Sequence, residues 1–218
     1  MNSIFNYDNK FFRGVNKIID CFYISILWFI FSIPIFTIGA STTALYETVH
    51  KVIRRSKGYV WRTFWDSFKS NFKKSTKMWL IMLVIFVVLL ADCLICKEFL
   101  KQNSSLGSMY YFFCVMIILE YIWAIYTFSY NARFELGIKG IMKNGALLAI
   151  AHLPWSALMV LVLAIAVFGS MLTPIVFLIA PAGVFMIYEL ILEKIFRKLM
   201  TPEELKRELE EDMEDKEA

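Results

Sequence analysis

Few side chains in this sequence could do chemistry, and the first of them is an acid. Glu120 stands alone inside Ile117-Ile118-Leu119-Glu120-Tyr121-Ile122-Trp123. At the centre of a bilayer a carboxylate costs about 2.5–3.5 kcal/mol on insertion scales, so the group must face protein or water rather than lipid. Two readings stay open. It could contact a proton or substrate, or its carboxyl could bond a neighbouring hydroxyl, amide or indole and hold helices together. His152 precedes Leu153-Pro154-Trp155. Proline strips a backbone donor there, and the imidazole could satisfy the bent backbone or reach Glu120 from an adjacent helix. Four cysteines remain: Cys21, Cys93, Cys96 and Cys114. Cys93-Leu94-Ile95-Cys96 has the spacing of a redox pair. No second pair stands ready to relay electrons and no histidine lies near, so the cysteines are expected to act as small apolar residues. No phosphate-binding loop, nucleophile elbow or His-Glu-x-x-His helix occurs. No enzymatic activity, metal or cofactor is expected.

These residues sit on elements that only a membrane can explain. The 218-residue chain is 59% hydrophobic with mean hydropathy +0.59. Five apolar runs, at about 18–38, 78–96, 110–130, 146–168 and 174–196, are each about 20 residues long, enough to cross a hydrocarbon core as helices. Runs of this length and number exclude a soluble core, and they lack the alternation of barrel strands. The expected fold is an all-α bundle of five membrane-spanning helices occupying residues 1–201. An acidic tail follows over 202–218, opened by Thr201-Pro202-Glu203-Glu204 as a capped helix start. The first run is expected to be a retained helix. Runs four and five are expected to form a tight hairpin, with a kink at Pro181 eased by close packing at Ala182 and Gly183. Glu189 and Glu193 are expected to pair among Lys194, Arg197 and Lys198.

Charge orients the chain. Eighteen of the 23 Lys and Arg residues fall in the first and third gaps and at the C-terminal end. The positive-inside rule then puts the C-terminus in the cytoplasm and the N-terminus outside, in the plasma membrane. Two amphipathic segments, about 42–55 and 59–77, are expected on the inner face between the first two spans. In the second, Trp61, Phe64, Trp65, Phe68 and Phe72 recur at helical spacing beside a stripe of Arg62, Lys69 and Lys73. An aromatic face beside a basic one suits membrane lipids or a docked partner. Nucleic acid is not needed to explain the charge.

The first third of the chain resembles the YesL-like family of bacterial membrane proteins, a domain family without an assigned function. The residues are Leu27-Trp28, Ser32-Ile33-Pro34, Thr37-Ile38-Gly39-Ala40-Ser41, Ala44-Leu45-Tyr46, Phe64, Phe68-Lys69 and Asn71-Phe72-Lys73. The resemblance implies an accessory or regulatory role beside a carbohydrate uptake or sensing system, with a permease or membrane sensor as partner. A small transporter built on Glu120, His152 and the Pro181 kink is the alternative, and a thiol oxidoreductase at Cys93 and Cys96 a third.

Overall fold

The computed structural model describes residues 10–102, 105–203, 205, 206 and 210. Most of the acidic tail assigned to 202–218, and Asn103 and Ser104 of the loop before the third run, lie outside them. Among the described residues the chain is helical and no strand occurs. Its helices are α1 (Lys10–Ser32), α2 (Ile38–Thr48), α3 (Val60–Lys101), α4 (Met109–Arg133), α5 (Ile138–Ala151), α6 (Leu153–Leu172) and α7 (Pro174–Phe196). Five of them, α1, α3, α4, α6 and α7, are long and apolar enough to cross a membrane. Large aliphatic residues such as Val84, Leu94, Ile165 and Leu172 are exposed along them. Water would penalise such a surface, and hydrocarbon would not.

The Ser-Ile-Pro to Ala-Ser stretch proves to be the stop of α1. Pro34 cannot continue the helix, and a short 3-10 turn, Ile35–Thr37, carries the chain into α2. The carbonyl of Phe31, released at the helix end, lies 2.5 Å from the Thr37 hydroxyl and 2.8 Å from that of Ser41. The motif thus answers a backbone need, since a buried carbonyl left without a donor is costly.

The segment expected at 42–55 as an amphipathic helix on the inner face is instead the centre of the bundle. Gly39 to Tyr46 and Thr48 are all buried, with α3, α4, α1 and α7 around them. Small residues allow this. A Cβ on Gly39 would lie 2.6 Å from Trp79 Cβ and 2.9 Å from the Ser75 carbonyl oxygen. Polar groups then close on each other across the contact: Thr43 and Ser75 hydroxyls meet at 3.0 Å, and Asn131 of α4 donates to Ser75 (3.0 Å) and Asn71 (3.2 Å). Small and hydroxyl-bearing residues are the means by which apolar helices pack when lipid offers no hydrophobic drive.

The amphipathic segment 59–77 and the span 78–96 are one helix. No Gly or Pro interrupts Val60–Lys101, so the 42-residue α3 passes through the change from basic to apolar composition without a break. Its aromatic stripe is used largely inside the protein. Phe31 of α1 packs against Phe64 (centroids 5.6 Å), Trp65 (5.5 Å) and Phe68 (5.0 Å). Phe64 and Phe68 are therefore buried and cannot form an exposed contact face; Trp65 and Phe72 are half-buried. The outward groups include Trp61, Arg62, Asp66, Lys69 and Lys73, with Arg62 Nε 3.8 Å from Asp66 Oδ2.

Run four also differs. The helix at 146–168 is divided between α5 and α6 at His152, because Pro154 sits in the first turn of α6. The carbonyl of Ala149, freed at the break, accepts from the Ser156 hydroxyl at 3.0 Å. Pro181 lies inside α7 and removes a donor there. Ser25 of α1 binds the backbone on either side of the proline: Ala182 N–H donates to its hydroxyl oxygen at 3.1 Å, and the hydroxyl donates to the Ile179 carbonyl at 3.3 Å. Ala182 packs as expected of a small residue, whereas a Cβ on Gly183 would meet nothing within 4 Å. Gly183 does not ease that packing.

Candidate functional site

The densest set of ionisable side chains among the described residues is buried where α2 meets α7, at the end of the bundle that carries Lys51 to Lys77. A π-helical turn, Val49–Arg54, extends α2 and buries His50 while Lys51 stays exposed. Such turns are strained relative to the α-helix and persist where side chains hold them, often at functional sites. His50 is held by Glu189 of α7, Nδ1 to Oε1 at 2.9 Å, with Glu193 Oε1 at 3.5 Å. Tyr46, one turn before His50, donates its hydroxyl to Glu193 Oε1 at 2.8 Å. Burial first, and then the Glu193 carboxylate, hold the Tyr46 phenol well above its ordinary range, so it stays a donor. Arg133 at the end of α4 donates Nη2–H to Glu193 Oε2 at 3.2 Å, and its Nε lies 2.9 Å from Oε1 as an ion-pair contact. Arg54, largely exposed, lies 3.7 Å from Glu189 Oε2.

Four side chains, Tyr46, His50, Arg54 and Arg133, thus converge on two acids one turn apart in α7. His50, Glu189 and Glu193 each bring one ligand atom within 4.8 Å of the others, a nitrogen and two carboxylate oxygens of the kind that hold transition metals. The two guanidinium groups change that reading. Arg133 already occupies the open side of Glu193, and with Arg54 the carboxylates are balanced by cations the protein carries itself. A metal ion would have to displace the charge-assisted Arg133–Glu193 pair. The cluster is built as an internal ion-pair lock between α2, α4 and α7.

The sequence sets Glu189 and Glu193 among Lys194, Arg197 and Lys198; in the structure the two acids pair with His50, Arg54 and Arg133. Their i, i+4 spacing turns both toward α2, and their bonds run to other segments; Lys194 and Lys198 face outward. His50, Tyr46 and Arg133 are not found by sequence reasoning. The signal that could have found them is the matched i, i+4 spacing of Tyr46 with His50 and of Glu189 with Glu193.

The sequence-nominated residues lie apart from this cluster. Glu120, on α4, is 8% exposed, and neither carboxyl oxygen has a hydrogen-bond partner. His152 caps α5, its Nδ1 3.3 Å from the Leu148 carbonyl, and makes no bond to Glu120. The backbone role is the one it plays. Trp61, Lys69 and Lys73 form a basic, aromatic-edged strip on α3, with Lys69 Nζ 5.6 Å from the Trp65 ring centroid.

Residues 21–93 match the family model described as "Protein of unknown function, DUF624". That interval holds α2 with Tyr46 and His50, the α1 stop and most of α3. No curated protein and no solved structure matches the chain.

The cysteines regroup as well. Cys93 and Cys96 share α3, but Cys93 Sγ faces Cys114 Sγ of α4 at 3.6 Å. A mild oxidant should link Cys93 to Cys114, and peptide mapping by mass spectrometry reads the link. Recovery of a Cys93–Cys96 bridge in its place would contradict the α3–α4 register.

Proposed function

We propose that this chain is a non-enzymatic, multi-pass protein of the plasma membrane that serves as an accessory or regulatory component of a carbohydrate uptake or sensing system. Its N-terminus is placed outside and its C-terminus in the cytoplasm, because the basic end of the bundle belongs on the cytoplasmic side. The resemblance to YesL-like proteins over the first third supplies the link to carbohydrate uptake.

The observation that carries the accessory reading is the character of a wide apolar cavity. A space of about 620 Å³ opens among α1, α2, α4, α6 and α7, walled by Phe29, Leu45, Phe128, Phe177 and Phe185, with Thr42 and Tyr121 among its few polar side chains. A sugar must exchange each hydration bond for one from the protein, and these walls offer almost none. The two buried acids at the basic end, Glu189 and Glu193, are engaged by His50, Tyr46, Arg54 and Arg133. A chain of this kind acts beside a sugar path more naturally than as one. Its outward strip of Trp61, Lys69 and Lys73, at the cytoplasmic end of a long stiff helix, is the surface offered to a permease or membrane sensor, in contact also with anionic lipid.

An affinity-tagged copy extracted in gentle detergent should bring down a solute-uptake permease or membrane sensor. Lys69→Glu with Lys73→Glu should reduce that recovery several-fold without altering the yield of the protein itself. Recovery of the bare chain under several mild conditions would remove the accessory reading. The small-transporter reading retains one supporting observation, the unpartnered carboxyl of Glu120.

A further inference from the structure

Glu120 poses a chemical problem that the rest of the fold does not solve. It is the twelfth of the 25 residues of α4, hence near the middle of a helix long enough to span a membrane. Its side chain is more than nine-tenths buried, yet both oxygens lack a donor. The other buried acids, Glu189 and Glu193, each have two or more partners. An isolated carboxyl in an apolar setting is costly, and such groups in membrane helices mark the sites where something polar or charged must be met.

The carboxyl borders a cavity of about 370 Å³. Trp79, Met82 and Phe86 of α3 form one wall, Val160 and Leu163 of α6 another, and Tyr121 of α4 is the remaining titratable group. Among the described residues no charged side chain other than Glu120 lines it. Trp79, Tyr121, Ala124 and Leu163 also border the 620 Å³ cavity, so the two spaces adjoin through shared walls. Both volumes suit a small organic molecule.

The possible occupants narrow quickly. A metal ion needs four or more ligands in place of its water, and one carboxylate cannot supply them. An anion would be repelled. A sugar would lose its hydration bonds against hydrocarbon, and a neutral apolar molecule would leave the acid unpaired. We propose that the Glu120 cavity binds a lipophilic organic monocation, its charge paired with the Glu120 carboxylate and its apolar body against α3 and α6. The faces of Trp79, Phe86 and Tyr121 add a second attraction for such a charge. A proton is the competing occupant of the same carboxylate, so cation and proton exclude each other. The site needs only the membrane-embedded bundle and is independent of any association with carbohydrate uptake.

The test uses the purified full chain and tetraphenylphosphonium as probe. Saturable binding should weaken by up to about tenfold for each pH unit of acidification once the proton competes, since one proton displaces one cation. Glu120→Gln should lower affinity at least about tenfold, the equivalent of one lost charge pair of about 1.4 kcal/mol. Glu98→Gln, an exposed acid elsewhere on α3, should leave it unchanged. The unmutated chain gives a second measurement that does not depend on a variant folding. Dicyclohexylcarbodiimide, which attacks protonated carboxyls in apolar surroundings, should label Glu120, and tetraphenylphosphonium should protect it. No binding up to millimolar probe, full binding by a folded Glu120→Gln variant, or labelling at Glu120 that the probe does not slow would each overturn the proposal.

Discussion

Replacing Glu193 with leucine should destabilise the folded bundle by about 3–5 kcal/mol, the usual cost of removing one partner from a buried ion pair. The loss falls on three neighbours at once. Arg133 loses the carboxylate that holds two of its nitrogens at 2.9 and 3.2 Å. Tyr46, fully buried, loses the acceptor of its hydroxyl at 2.8 Å. His50 loses its nearby second carboxylate. Part of the destabilisation comes from the partly buried Arg133 guanidinium losing this carboxylate, so changing Arg133 to methionine as well should recover some of the loss. Unfolding in detergent, followed by tryptophan fluorescence for both single variants and the double variant, reads the coupling. Strict additivity of the two substitutions would show that the pair is not a unit, and the lock between α2, α4 and α7 would then need another explanation.

Gly39→Val should be nearly as damaging for a different reason. A single Cβ at this position would stand 2.6 Å from Trp79 Cβ, 2.8 Å from Phe128 Cε1 and 2.9 Å from the Ser75 carbonyl oxygen. Two of the three neighbours are backbone or an atom fixed to it, so the helices themselves must separate. Overpacking of this kind costs about 1–3 kcal/mol in ordinary cores. The value should sit at or beyond the upper end here, because separating α2 from α3 also parts Thr43 from Ser75, which Asn131 binds in turn. Gly183→Ala is the matched control. Its new Cβ meets nothing within 4 Å, and alanine gains up to about 1 kcal/mol of helix propensity over glycine. The two melting curves should therefore move in opposite directions. A mild Gly39→Val phenotype would mean that α2 does not pass this close to α3.

What could be read from the sequence follows from which signals are local. The apolar runs are legible because hydrocarbon length imposes itself on consecutive residues, and Glu120 is legible because one acid among Ile, Leu and Trp needs no partner to be noticed. The burial of 39–48 is not. Its glycine, alanine, serine and threonine residues read as weakly polar in one dimension, and only a facing helix reveals that their smallness admits close contact. The aromatic stripe of α3 is legible as a stripe, but periodicity cannot say whether Phe64 and Phe68 meet lipid or Phe31. The continuity of α3 was open to view in principle: a change from basic to apolar composition at Lys77 is a change of surroundings, and only glycine or proline would have argued for a change of backbone. His50 and Arg133 become a site only when α2 and α4 are set against α7.

The uninterrupted length of α3 has a mechanical side. At the helical rise its 42 residues make a rod of about 63 Å, roughly twice the hydrocarbon depth. No glycine or proline separates its apolar portion from the portion bearing Trp61, Lys69 and Lys73. Tilting such a lever by about 10° within the bilayer would swing a point about 30 Å along it through about 5 Å.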